Sequence, residues 1–341
     1  MLRLALAAGV AVDHGTTIGF GRHSAIGSVP IGDLAVEAFF VISGFLVTRS
    51  YLSLKSLRRY SWHRFLRIMP GFWICLLITA AAIAPLMAIL AGDPATSVFS
   101  GEDSAPSYLR ANAFLQMRQW GITGNPRTPY EPDVVDGSLW TLFYEAICYL
   151  LVAGLGVLGI LRHYRWVVVA ICGGQWVLLA GNAAGVIPTA SEYLLRLSFL
   201  FMLGALGHLF ADRLRITDTM AWVCAAVFLL AAFAFAEYRQ IIAPAVAYLC
   251  LWAIVRVPLR QNPSWDISYG LYIYHWPIVQ LLVLAGATSF TPIPFILLCL
   301  SGAALAAFIS WTLFEKPALG FKNARWVHPQ LKARGRRARD V

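Results

Sequence analysis

Apolar residues fall along this chain in runs of roughly 20, parted by short clusters of Gly, Pro and charged residues. A run of that length spans the ~30 Å hydrocarbon core of a bilayer as an α-helix. The pattern predicts an all-α bundle of ten transmembrane helices, over 4–20, 33–50, 68–91, 138–160, 166–182, 192–210, 219–236, 241–257, 267–286 and 293–314. Short segments alternating apolar and polar residues, the mark of a membrane β-barrel, are missing. The largest connection, about 92–137, is rich in Pro, Gly, Asp and Arg and is expected at one face of the membrane as an outer loop. The opening run lacks a small-residue cleavage pattern after it and is read as a retained helix rather than a signal peptide. The domain reading is therefore a single transmembrane domain, 1–318, followed by a basic tail, 319–341.

Composition supports this class. Of 341 residues, 59% are hydrophobic and 13% charged, with a mean hydropathy of +0.67; a soluble domain carries about 25% charged residues. Charge then orients the bundle. With the N-terminus inside, only Arg22, Arg110, Arg118, Arg127 and Arg239 fall on the outer side and Arg196 within a span, while every other Lys and Arg lies inward. That bias fits the positive-inside rule and puts both termini in the cytoplasm of a multi-pass protein of the cell (inner) membrane. The net charge of +10 needs no nucleic acid, because a basic tail such as "KARGRRARD" suits anionic lipid at about 1 kcal/mol per cation near the surface. The six cysteines all fall within predicted spans, at no spacing suited to a metal, and read as small apolar fillers.

The chemistry is sought among charged groups that a bilayer excludes, each costing on the order of +2.5 to +3.5 kcal/mol at mid-membrane. Arg3 and His14 stand eleven positions apart, which is three helical turns plus about 20°, so they share a face about 16 Å apart along the axis. Glu37, in the outer half of the second span, is expected near the depth of His14, where a carboxylate would fix the tautomer and raise the basicity of the imidazole. Arg64 and Arg67 share one face where the third span leaves the cytoplasm and can bind phosphate oxygens bidentately. Glu145 enters the fourth span from outside, after Asp136 and Ser138, which offer helix-start chemistry. Each of these also has a plainer reading as a structural hydrogen bond, an ion pair or a membrane-surface anchor. His275 and Glu315, late in the chain, are explained as readily by interfacial packing and snorkelling.

Taken in order, these stretches resemble the acyltransferase 3 family of integral membrane acyltransferases. Arg3 and His14 reproduce its Arg-x10-His pattern. "VEAFFVISGFLVT" is similar to its second-span signature, with Glu37 at the acidic position, and "RFLR" to its Arg-x-x-Arg motif. "SLWTLFYEAICYL", "ISYGLYIYHWPI" and "FEKP" resemble its later motifs, so the likeness runs over residues 3–317. Departures are Ala35 where the family often has Gly, Ala146 after Glu145, and Asp13 beside the histidine. The resemblance implies transfer of an acyl group, most often acetyl, from cytoplasmic acyl-CoA to a hydroxyl of an envelope glycan or lipid-linked sugar. It implies His14, Glu37 and Glu145 as catalytic residues, with Arg3, Arg64 and Arg67 holding the acyl-CoA co-substrate and no metal. The bilayer, acyl-CoA (acetyl-CoA first) and a carbohydrate acceptor are the expected partners. The competing class is a proton-coupled transporter or flippase of a glycan-type substrate, since intramembrane His and Glu also make proton relays.

Overall fold

Described in a computed structural model are residues 1–234, 239–257 and 265–324. Most of the expected basic tail, residues 325–341, lies outside them, as do the last two residues of the seventh predicted span. Each predicted span falls on a helix as far as the described residues run. The ten are α1 (Leu2–Phe20), α2 (Ile31–Leu54), α3 (Leu57–Leu90), α5 (Thr141–Val157), α6 (Arg165–Ala183), α7 (Glu192–Leu209), α8 (Asp218–Ala234), α9 (Arg239–Arg256), α10 (Ser268–Leu284) and α11 (Pro292–Asn323), with a short α4 (Ala105–Asn112) in the connection between α3 and α5. Of these, α2, α3, α6, α7 and α11 are long and apolar enough to cross a membrane, and three further apolar helices are shorter. Leu150, Trp222, Phe233 and Ile293 each expose over 70% of their surface, an arrangement that water penalises and lipid does not. This is a membrane protein.

Between α1 and α2 a two-stranded hairpin pairs Ala25 with Pro30 and Ile26 with Val29. It is anchored by Asp13, whose carboxylate accepts the Ser24 amide at 2.7 Å. Asp13 therefore serves the hairpin while its neighbour His14 faces another helix. The antiparallel register of α1 on α2 sets Asp13 beside Gly32 and the Arg3 guanidinium over Phe39. Glu37 consequently lies about five residues, or roughly 7 Å, further along α2 than the level of Asp13. The expectation that Glu37 and His14 share a depth is thus corrected: the chain spent in the hairpin offsets the two helices.

The tightest crossing in the bundle joins α2 to α7. Gly44 sits against the carbonyl of Phe201, and Gly204 against the carbonyl of Val41. No side chain separates the two backbones, the geometry small residues permit between membrane helices.

The connection 92–140 is a packed cap. Gln280 of α10 accepts from Thr128 Oγ1 at 2.8 Å and donates to the carbonyls of Glu131 and Val134, while Trp276 Nε1 donates to Val134 at 3.0 Å. A buried Asn112 organises the turn below α4 by bonding the amides of Arg118 and Gln119. Helix α5 begins at Thr141, so Asp136 and Ser138 do not cap it. Asp136 instead accepts the amide and hydroxyl of Ser138 and the thiol of Cys75 on α3.

Candidate active site

His14 meets a second imidazole. Its Nδ1 lies 2.7 Å from Nε2 of His275 on α10, and the edge of Trp276 packs against its ring with centroids 4.7 Å apart. His275 is completely buried, and its Nδ1 lies 3.3 Å from the carbonyl of Leu271. The ring of Tyr272 stands 6.0 Å from that of His275, and its hydroxyl is bonded to Thr141 Oγ1 at 2.7 Å. Tyr272 and Thr141 in turn form part of the wall of a small, largely apolar chamber of about 40 Å³, into which Arg3, Ser43, Glu145 and Ser268 bring polar groups. Such a volume holds about one water molecule or slightly more.

The Glu145 carboxylate is the organising group of the chamber. It accepts the hydroxyl of Tyr149 at 2.6 Å and that of Ser43 at 3.1 Å, tying α5 to α2. Arg3 and Ser268 line both this chamber and a wider cavity of about 430 Å³. That second cavity opens among Met1, Trp265, Asp266 and Ile254.

Arginines gather at this end of the bundle. Arg67 Nη2 donates to Asp266 Oδ2 at 2.8 Å, and Ser268 Oγ donates to Asp266 Oδ1 at 2.6 Å. The Arg64 guanidinium lies over the Tyr149 ring, 5.5 Å from its centroid. The Nε atoms of Arg3 and Arg64 are buried without a hydrogen-bond partner, as are those of Arg59 and Arg196, and an unmet buried donor costs about 1–3 kcal/mol. Burial pushes the Asp266 carboxyl up, but the guanidinium groups of Arg67 and Arg3, with Ser268, overcome this and hold it at about 2. A carboxyl depressed in the folded protein contributes stability above its unfolded value, and the contribution fades as pH falls toward the folded one. Asp266→Asn should therefore lower the melting temperature by an amount that is constant from pH 8 to 5. The difference from the native protein should shrink between pH 4 and 2, checked by thermal unfolding in detergent. A difference already gone at pH 6 would remove the ion pair as its cause.

Glu37 stands apart from the imidazoles. Its carboxylate faces Arg196 of α7, with Nε at 3.8 Å, and both residues are almost wholly buried. The Arg196 guanidinium also lies over the Tyr193 ring. The structure thus sets Arg3 and Glu145 on one chamber, with Arg67 joined to it through Asp266 on the wider cavity and the His275–His14 pair behind the Tyr272 wall, and it leaves Glu37 in a helix-pairing position. Sequence reasoning named Arg196 only as a cation inside a span, although that location was itself a signal that a buried acid must face it. Asp266 carried no local signal; only the folded bundle sets it against Arg67.

Residues 1–315 match the acyltransferase domain that defines the acyltransferase 3 family. The chain belongs to this family. Among its relatives is an O-acetyl transferase of Shigella phage Sf6, 26% identical over 305 residues that make up 84% of each chain. Nodulation protein 10 of Rhizobium leguminosarum bv. viciae is 29% identical over 323 residues, 85% of this chain and 83% of that one. No solved structure matches this acyltransferase 3 chain. It is a membrane acyltransferase.

Proposed function

We propose that the protein transfers an acetyl group from cytoplasmic acetyl-CoA to a hydroxyl of an envelope glycan or lipid-linked sugar. In this reading the helices of all ten predicted spans cross the inner membrane and both termini lie inside. The observation that carries the reading is the run of polar groups from the arginine end to the half-buried His14 imidazole. Arg3, Arg64 and Arg67 hold the CoA phosphates at the mouth, where two of the three keep an unsatisfied Nε. The rise of about 16 Å from Arg3 to His14 is a length that a pantetheine arm can bridge. A chamber of about 40 Å³ is too narrow for that arm, so Phe39 and Phe40 in its wall must shift as the donor enters.

His14 takes the proton of the acceptor hydroxyl as its oxygen attacks the thioester carbonyl. The carbon–sulfur bond then breaks, and the CoA thiolate leaves toward the arginines and takes a proton from water as His14 releases its own to water, which returns the imidazole to its neutral state. Glu145, held by Tyr149 and Ser43, keeps the chamber polar and orients the donor carbonyl region, while Glu37 secures α2 to α7 through Arg196.

The test is acyl transfer from labelled acetyl-CoA in membranes holding equal amounts of each variant, followed by mass analysis of envelope glycans. Removing Arg64 and Arg67 together should raise KM for acetyl-CoA by at least tenfold, since a charge-assisted hydrogen bond contributes about 1.5–3 kcal/mol. Movement of a glycan across sealed vesicles with no consumption of acetyl-CoA would replace this reading with a transporter.

A further inference from the structure

The two imidazoles are close enough that only one arrangement of protons satisfies both. A hydrogen bond between two ring nitrogens needs a proton on one and a lone pair on the other. His275 settles which. Its Nδ1 looks at the Leu271 carbonyl one turn back on the same helix, and a carbonyl oxygen only accepts. Nδ1 of His275 therefore carries the proton, and its Nε2, the atom 2.7 Å from His14, carries the lone pair. His14 must then donate from Nδ1, which leaves its own Nε2 unprotonated.

The reverse arrangement points the His275 Nδ1 lone pair at a carbonyl oxygen with no proton between them. A doubly protonated His275 is disfavoured as well, because the ring is fully buried and, among the described residues, neither imidazole is bonded to a carboxylate. A cation there would lack the partner that such groups require.

We infer that His275 is a positioning residue: through its hydrogen bond to His14, relayed from the Leu271 carbonyl, it holds the His14 imidazole as the Nδ1–H tautomer and so presents Nε2 as the base. This rests on the acyl-transfer reading, in which His14 accepts a proton. An imidazole free in water populates both neutral tautomers and turns about its Cβ bond. Here the ring is fixed by a hydrogen bond along one edge and by Trp276 packed against it. The arrangement does the orienting job that a carboxylate does for the histidine of a catalytic triad, with a second neutral imidazole in its place. Nothing charged is created in the apolar bundle until the acceptor's proton arrives.

The decisive experiment joins spectroscopy with kinetics. In the full-length protein labelled with ¹⁵N-histidine and held in lipid nanodiscs near neutral pH, the His14 signals, assigned by their loss in His14→Gln, should show a protonated Nδ1 and an unprotonated Nε2. A protonated Nε2 on His14 overturns the inference whatever the variants do. In kinetics, His275→Leu removes the acceptor and should lower kcat at least about tenfold with KM for acetyl-CoA unchanged, because general base catalysis contributes typically 10²–10⁴-fold. His275→Gln, whose amide oxygen accepts from His14 and whose NH₂ donates to Leu271, should restore kcat to within about threefold of the native value, as the amide supplies the same donor and acceptor. Native kcat in His275→Leu, or a glutamine variant as impaired as the leucine one, overturns the inference. Full activity in His14→Ala sinks the acyl-transfer role of His14 itself; an inactive His14→Ala beside a fully active His275→Leu sinks only the positioning role. If the leucine variant does not fold, the tautomer measured in the native protein decides.

Discussion

Replacing His14 by Ala is expected to reduce acyl transfer by about 10²–10⁴-fold, the usual contribution of a general base. The loss should fall on kcat, because Arg3, proposed with Arg64 and Arg67 to bind the donor, lies about three helical turns away. Alanine also deletes the ring between His275 and Trp276, so part of any effect could arise from packing. His14→Gln separates the two causes, since it keeps a side chain of similar length in the space but supplies no group that can take up a proton at neutral pH. Both variants should accumulate in membranes at native levels and remain inactive, measured as labelled acetyl transferred per mole of protein. Activity retained in His14→Gln would mean that the imidazole fills space and orients neighbours without handling a proton.

Gly44→Val is expected to be the most damaging change to the fold. A Cβ at that position would overlap the Phe201 carbonyl oxygen and crowd the amide of Ala205. The obstacle is backbone, which cannot rotate away as a flexible side chain can. Helices α2 and α7 would have to separate, and overpacking of this kind costs typically 1–3 kcal/mol before any backbone shift is counted. Separation also pulls Glu37 from Arg196, and breaking a buried ion pair costs about 3–5 kcal/mol on its own. The variant should be lost from the membrane fraction or elute as aggregate on size-exclusion chromatography in detergent. Gly154→Ala on α5 is the control: nothing lies within 4 Å of its added methyl group, so it should behave as the native protein. Equal behaviour of the two variants would show that the α2–α7 crossing is looser than the structure has it.

The order of the helices was legible because a bilayer imposes a length and an apolar character on each one, and both are local properties. Helix ends were less so: α5 starts at Thr141 because Asp136 and Ser138 satisfy each other and Cys75 rather than a helix terminus. His14, Glu145 and the paired arginines stood out because each breaks an apolar run or crowds charge at a membrane surface. Their partners did not. His275 lies seven residues into α10 amid Tyr and Trp, where aromatic packing is explanation enough, and only the packing of α10 on α1 reveals the second imidazole. Short connections alone would leave antiparallel helices level and Glu37 near His14, whereas the hairpin of residues 25–30 offsets the helices and Arg196 arrives from far along the chain to meet Glu37.

Helix α10 is fastened at its start, by Asp266 and Ser268 to Arg67, and again along its second half, by Trp276 and Gln280 to the cap. A rod tethered twice resists rocking, and His275 rides on it nine residues from Asp266, a rise of roughly 13 Å. The span from guanidinium to imidazole is then a ruler graduated in helical turns. Under the proposed chemistry it gauges the donor by reach, accepting a thioester carried on a long thin arm and leaving one on a short stem stranded below the reacting nitrogen.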